Sequence, residues 1–383
     1  MKRKVSENVL PYGRQSIADE DIESVVEALR SDWLTTGPKV DEFERAISEV
    51  AGGSQAVAVT SGTAALHVAY VAAGIKPGDE VVTTPMTFVA TASTAAIAGA
   101  KIVFADVEES TGNLSLEAAR AAVTDRTKVI TAVDYAGLPV DAVAFRDLAH
   151  ENGALFIEDA AHSVGSLLNG VPVGKEADFT TFSFFPTKNM TTAEGGAVVT
   201  PSDELALRAR RFKGQGLIRE QSELRYPDEG PWHQEVHDFS LNYRLPDVLC
   251  ALGISQITRL GEFRTRRQWI HDQYNAAFGP HEALKIPGTT PGAEPAWHLY
   301  PLRVEAARRR QIFEELRARG IGVQVNYIPA YWHPVFEDLG YQRGMCPVAE
   351  QYYREEISLP LFPGLKDDQV EMVIENVLDV VGS

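Results

Sequence analysis

The run Ser183-Phe-Phe-Pro-Thr-Lys188-Asn-Met-Thr-Thr-Ala-Glu-Gly195-Gly196 sets one lysine in a loop of small and polar residues. Apolar, β-like stretches flank it on both sides. Lysine is ordinarily a solvated surface residue, but these flanks argue against full exposure. A desolvated ammonium has a lowered pKa, and its free amine can condense with an aldehyde. Ser183, five positions earlier, offers a hydroxyl for an anionic group. Gly195-Gly196 would let the chain turn tightly beside the lysine.

Three further segments sit where short apolar runs end. Glu158-Asp159-Ala-Ala-His162 follows ALFIED. An acid at a strand end costs desolvation unless it meets a cation. A protonated ring nitrogen would serve, and so would a structural salt bridge. Thr60-Ser-Gly-Thr63 follows AVAVT and precedes a helical pattern. The first-turn amides, with the Ser61 and Thr63 hydroxyls, form a ready anion site, though the same residues also read as an ordinary capped helix. Phe88, in Thr84-Pro-Met-Thr-Phe88, is placed either to stack on a flat ring or to fill core. Jointly these segments supply an aldehyde trap, a ring-nitrogen acid, two phosphate anchors and a stacking ring. Those are the requirements of a pyridoxal cofactor, whose protonated ring acts as an electron sink.

The elements that must position them alternate. AVAVT (Ala56–Thr60), EVVTTP (Glu80–Pro85), KIVFADV (Lys101–Val107), KVITAVD (Lys128–Asp134) and ALFIED (Ala154–Asp159) read as strands separated by helical patterns. DFTTFSF (Asp178–Phe184) and GAVVT (Gly196–Thr200) add two more. Continuous apolar runs point to strands buried on both faces, and the alternation points to parallel βα units. Open sheets of this kind bind ligands at the carboxyl ends of their strands. Ser16-Ile-Ala-Asp19 is expected to start a helix running to about Arg30, and another is expected from Thr87. Beyond about Leu245 the texture changes: helical patterns over Pro246–Phe278, a strand at WHLYPLRV, a helix over Ala306–Arg319, a strand at GVQVNYI and a terminal helix from Asp367. The expectation is an α/β protein with a mostly parallel central sheet flanked by helices. A large cofactor domain spans 1–245, opened by an N-terminal helix segment at 1–30, and a smaller C-terminal α+β domain spans 246–383.

The 383 residues, at roughly 150 per domain, allow two or three domains and a large core. Hydrophobic residues make up 44% and charged ones 23%, so wholesale disorder is excluded. The net charge of −17 argues against a nucleic-acid binder. The basic stretches Arg208–Lys213 and Arg308–Arg310 read as solvated helix faces. Two cysteines, Cys250 and Cys346, make no disulfide framework, consistent with a cytoplasmic protein. The start MKRKVSENVLPYGRQ lacks the apolar core of a signal peptide, and no run is long and apolar enough to span a membrane. Gly170-Val-Pro-Val-Gly174-Lys175 departs from a phosphate loop and reads as a hairpin turn. His233-Gln-Glu-Val-His237, preceded by Gly230 and Pro231, reads as a loop rather than a zinc site, so no metal is expected.

The chain resembles the pyridoxal-phosphate-dependent sugar aminotransferases of the DegT type, within the fold-type I aspartate aminotransferase superfamily. The resemblance runs from Trp33-Leu-Thr-Thr-Gly37-Pro38 through Ser61–Leu66, Glu158–His162 and Ser183–Gly196 to Asn242-Tyr-Arg244, Gly320–Tyr327 and Ser358–Pro363. It implies that Lys188 is the Schiff-base lysine and proton shuttle. Asp159 would pair with the pyridine nitrogen, His162 would lie near the phenolic oxygen, and Phe88 would stack on the ring. Gly62, Thr63 and Ser183 would hold the phosphate. Asn242 would reach the phosphate of a neighbouring subunit, which implies a homodimer with shared active sites. Thr36, Asn326 and Tyr327 would fall in the substrate region. Some relatives carry histidine at the lysine position and act as dehydratases, so Lys188 favours transamination. Many relatives have histidine where this chain has Asn326, which leaves the sugar preference open.

Thr84–Thr91, Val133–Gly137 and Met190–Thr200 look most like the C4 aminotransferases of the pseudaminic acid route. Those act on UDP-linked 4-keto-6-deoxy-N-acetylhexosamines, with L-glutamate the implied amino donor. Two other readings stay open: an aminotransferase for a dTDP-keto sugar or ketocyclitol in antibiotic biosynthesis, and a non-catalytic regulator or sensor on the same fold.

Overall fold

The computed structural model describes residues 9–382, so the first eight residues of the basic N-terminal stretch lie outside it. Helices α1 (Asp19–Arg30) and α2 (Pro38–Val50) come first. Then β1 (Gln55–Val59), α3 (Gly62–Ala72), β2 (Glu80–Thr83), α4 (Ala90–Ile97), β3 (Lys101–Phe104), α5 (Leu116–Ala122), β4 (Thr127–Val133), α6 (Ala142–Glu151) and β5 (Leu155–Asp159) alternate. A short hairpin, β6 (Leu167–Leu168) and β7 (Val171–Pro172), precedes β8 (Phe179–Ser183) and β9 (Gly196–Thr200). The hairpin turn is Asn169-Gly170, both at positive φ (52° and 76°), the two-residue turn whose twist suits paired strands.

The main sheet has seven strands in the order β1-β9-β8-β5-β4-β2-β3. Only β9 runs against the rest, antiparallel to both β1 and β8. The other six therefore end on one edge, and β9 begins there. Successive residues alternate between two covered faces. Val57, Val59, Val81, Val129, Ile157 and Phe179 pack under α3 and α4. Ala56, Ala58, Phe182 and Val199 pack on Phe43 and Ile47 of α2. Val82, Ile130 and Phe156 pack on Phe145 and Leu148 of α6. Covering both faces is why these strands read as unbroken apolar runs.

After α7 (Asp203–Lys213), a ribbon of β10 (Leu217–Ile218) and β11 (Glu235–Val236) projects. Helices α8 (Asp247–Thr258) and α9 (Leu260–Phe278) follow, so the helical pattern over Pro246–Phe278 is broken at Arg259. Next come β12 (Ala293–Glu294), β13 (Tyr300–Arg303), α10 (Arg309–Ala318), α11 (Pro334–Glu337), α12 (Pro347–Glu355), β14 (Glu356–Leu359) and α13 (Asp367–Gly382). A separate core joins Ile270, Tyr274 and Phe278 of α9, Leu302, Ile357 and Leu359 of the β13–β14 pair, Ile312 and Leu316 of α10, and Val370, Val373 and Val377 of α13.

The segment Gly322–Ile328 corrects the expectation of a strand. It makes one bridge, Gln324 to Ser358. At the next ladder position the Glu356 carboxylate takes the Asn326 N–H at 2.7 Å, so a side chain ends the pairing. The basic stretches are also not bare solvated faces. Lys213 and Arg210 on α7 meet the buried Glu44 at 2.7 and 2.5 Å. Burial would raise the Glu44 carboxyl, but these two cations hold it below its ordinary value. Arg308 bonds the Val380 and Val381 carbonyls at the end of α13. Both cysteines are free and buried. Among the described residues no helix is long and apolar enough to cross a membrane.

Candidate active site

The sheet edge where β1, β5 and β8 end opens into a cleft of about 450 Å³. Gly62, Thr63, Phe88, Asp159, His162, Ser183, Lys188, Asn326 and Tyr327 all line it. Two expected residues do not. Thr36 lies in a separate surface hollow with Lys213 and Arg244. Asn242 is exposed and bridged to Gly214, outside the cleft of its own chain.

The end of the cleft at the start of α3 is built by close backbone approach. Ser61 caps α3, its Oγ accepting the Ala64 N–H at 3.0 Å, which leaves the first-turn amides of Gly62 and Thr63 at the cleft. A Cβ on Gly62 would fall 2.7 Å from Ser183 Cβ. A Cβ on Gly196 would fall 2.4 Å from the Ser61 carbonyl oxygen and 2.8 Å from Gly62 N. Close packing, rather than the turn conformation expected from the sequence, thus requires glycine at 196; the left-handed residue of this loop is Ala193, at φ 67°. Gly196→Ala should force the start of α3 away from β9. We expect a loss of about 1–3 kcal/mol in stability together with weaker cofactor binding, read by thermal unfolding with and without added cofactor. Unchanged unfolding and binding would contradict the close approach.

Residues on one strand alternate sides, so Asp159 faces the cleft while Glu158 turns to the opposite face, where Thr180 donates to it at 3.0 Å. Asp159 is buried, and its Oδ2 accepts the Thr91 hydroxyl at 2.6 Å. Thr91 spends its proton there, so the 2.7 Å contact with Thr87 is filled by the Thr87 hydroxyl. The Ala161 N–H serves Oδ1 at 3.2 Å. Burial still raises the Asp159 carboxyl, against Thr91, the Ala161 amide and the Lys188 charge. A cation placed against this carboxylate would relieve that cost.

Lys188 sits in the loop between β8 and β9. Burial pushes its ammonium down to about 8, partly opposed by Asp159. The loop is fixed by Thr191, whose hydroxyl donates to the Phe184 carbonyl at 3.0 Å and accepts the Ala193 N–H at 2.9 Å. Arg267, buried on α9, donates to the carbonyls of Lys188 (3.3 Å), His298 (3.4 Å) and Leu361 (2.9 Å), tying three segments behind the lysine. His162 bonds the Tyr327 hydroxyl through Nε2 at 3.1 Å, and its buried Nδ1 has no partner among the described residues. Burial keeps its imidazole neutral, well below the ordinary pKa. Phe88 is 59% exposed at the cleft mouth, edge-on to Tyr327, so it is not core.

Sequence reasoning missed Thr91, Tyr12, Glu194 and His298, all of which line the cleft. Thr87 and Thr91, four apart, carried a helical-spacing signal for the first. Tyr12 and His298 arrive from remote parts of the chain and left no local mark. Tyr135 does not reach the cleft; it is buried and donates to the Asn326 carbonyl at 2.5 Å.

These residues fit pyridoxal 5'-phosphate. A buried carboxylate at the cleft calls for a cation, and a helix N-terminus packed on glycines calls for an anion. Fold and cleft together define an α/β enzyme of the pyridoxal-phosphate class. The chain belongs to the DegT/DnrJ/EryC1/StrS aminotransferase family, whose model matches residues 15–378. It is a pyridoxal-phosphate-dependent aminotransferase. It is 39% identical to the spore coat polysaccharide biosynthesis protein SpsC of Bacillus subtilis over 378 residues, 97% of each chain. Among solved structures it is similar to Helicobacter pylori PseC, an aminotransferase involved in the biosynthesis of pseudoaminic acid, at 30% identity and a TM-score of 0.91 over 98% of this chain and 99% of that one. It is equally similar to Streptococcus pneumoniae Spr1654 in its PLP form, at 30% identity and a TM-score of 0.91 over 98% and 99%.

Proposed function

We propose that this enzyme transfers an amino group from L-glutamate to a UDP-linked 4-keto-6-deoxy-N-acetylhexosamine, giving a 4-amino sugar and 2-oxoglutarate. The observation that carries the chemistry is Lys188, its ammonium pushed down to about 8 in the same cleft as the buried Asp159. The relatives involved in polysaccharide and pseudoaminic acid biosynthesis support the sugar. Pyridoxal 5'-phosphate supplies the carbonyl that takes up the amino group and a ring that accepts negative charge.

In this reading the chain's own residues have separate tasks. Gly62, Thr63 and Ser183 hold the phosphate with amides and hydroxyls rather than a cation. Asp159 fixes a positive charge at the ring nitrogen. Phe88 covers the ring, and the neutral His162 lies beside its oxygen. Lys188 Nζ, able to lose and regain a proton near neutral pH, moves the proton at the reacting carbon. Asn326 and Tyr327 face the sugar. Asn242 would complete the phosphate site of a second copy, and the exposed Trp232 and Phe239 of the neighbouring ribbon give that copy an apolar surface to cover.

The test is a panel of UDP- and dTDP-linked 4-keto-6-deoxy sugars with glutamate, following 2-oxoglutarate and the configuration of the new amine. Turnover of the UDP-N-acetyl sugar at C4 is expected. Turnover of the dTDP sugar alone would replace this reading with the antibiotic-sugar one.

A further inference from the structure

We infer that, with Glu356 ionised, Asn326 selects its substrate through a hydrogen-bond donor on the sugar, a hydroxyl or an amide N–H, and that the proton on Glu356 sets this choice through Ser358. The inference rests on the keto-sugar reading above for its substrate, but the relay's hydrogen bonds are set by geometry. Glu356 is fully buried and accepts two bonds: the Asn326 backbone N–H on Oε2 at 2.7 Å and the Ser358 hydroxyl on Oε1 at 2.5 Å. With Glu356 ionised, Ser358 spends its one proton on the carboxylate, so toward Asn326 it can only accept. Asn326 Nδ2 accordingly donates to Ser358 Oγ at 3.0 Å. The Asn326 carbonyl is taken by the Tyr135 hydroxyl at 2.5 Å, so the backbone is pinned from both sides.

What remains is the side-chain Oδ1. It has no protein partner among the described residues, and Asn326 lines the cleft beside Tyr327. Asparagine could offer either end to a substrate; with Glu356 ionised the relay leaves only the acceptor. A substrate group that must itself accept would meet this oxygen unpaired, and a mismatch of that kind costs about 1–3 kcal/mol.

The relay has a polarity that follows the proton on Glu356. Burial pushes this carboxyl up to about 8, against the Ser358 hydroxyl, the Asn326 amide and the charge of Arg309. The other groups facing it are Arg303, held on Glu355 at 3.4 Å, and the hydroxyls of Tyr12, Tyr135, Tyr327 and Tyr352, all raised by burial. As a carboxylate, Glu356 accepts from Ser358 and Asn326 shows Oδ1. As an acid, it donates to Ser358, the Ser358 proton turns to Asn326, and Asn326 shows Nδ2. The acceptor face therefore belongs to the pH range above the Glu356 pKa and is lost as pH falls through it.

Glu356→Gln mimics the acid with almost no change of shape. Its carbonyl keeps the Asn326 N–H and its amide donates to Ser358. Crystals of both holoenzymes at about pH 9, at a resolution that separates amide oxygen from nitrogen, should show Oδ1 at the cleft in the wild type and Nδ2 in E356Q. The KM for the UDP-linked 4-keto-6-deoxy-N-acetylhexosamine should rise about 10- to 100-fold in E356Q at that pH, with a smaller change in kcat. The wild-type KM should approach that of E356Q at about pH 6.5. Adding Asn326→Asp to E356Q restores an acceptor at the cleft and should recover part of the loss, which simple damage to the fold would not. The same amide orientation in both crystals, an unchanged KM, or a double variant no better than E356Q would overturn the relay. If the wild type reacts with glutamate yet never turns over this sugar, the substrate reading fails, and the amide orientation still decides the relay.

Discussion

Lys188→Ala should lower multiple turnover by roughly 10⁴-fold or more while the folded protein still binds its cofactor. The lysine is the one amine among the described residues that line the cleft, and its lowered pKa comes from desolvation there. Removing it deletes both the nucleophile and the group that moves the proton. Phosphate holding is assigned to Gly62, Thr63 and Ser183, none of which depends on the lysine side chain. Cofactor content after gel filtration, measured beside the glutamate-dependent assay, separates the two effects. A variant that turns over repeatedly would remove Lys188 from the chemistry. A variant that loses activity because it is unfolded would show it in its circular dichroism.

Asp159→Asn is the second large expectation. The two side chains are nearly the same size, and the amide oxygen can still accept from Thr91 or Ala161. What the amide cannot do is stabilise a positive charge. Loss of a preorganised charge at the reacting centre typically costs orders of magnitude, and we expect kcat to fall about 10²- to 10⁴-fold with the fold intact. Normal kcat in D159N would mean that the carboxylate serves packing rather than the ring nitrogen. Thr91→Val, which removes the 2.6 Å bond to Asp159, should produce a smaller loss in the same direction.

The strands and the cleft residues were legible in the sequence for a physical reason. A strand buried on both faces is apolar without interruption, so β1 to β5, β8 and β9 stand out from the helices between them. Parallel strands place their carboxyl ends together, so Thr63, Asp159 and Ser183 converge although more than a hundred residues separate the first from the last. The rest depends on partners that sequence distance hides. Gly322–Ile328 reads as a strand, but Glu356, thirty residues on, takes its next hydrogen bond. Arg208–Lys213 reads as a solvated face, but Glu44 is buried beneath it. Gly196 announces a turn and turns out to be a contact with the Ser61 carbonyl. His298 reaches the cleft only because α9 and the segment before β13 fold back on the lysine loop, held there by Arg267. Asn242 lies outside its own cleft, and a role there would need a second chain.

Lys188 is proposed to carry the amino-transfer chemistry. The most direct test is borohydride reduction of the holoenzyme followed by peptide mapping. One phosphopyridoxyl label is expected, on Lys188, absent when the enzyme is first treated with L-glutamate. A label on another lysine, or a label that glutamate does not prevent, would contradict it.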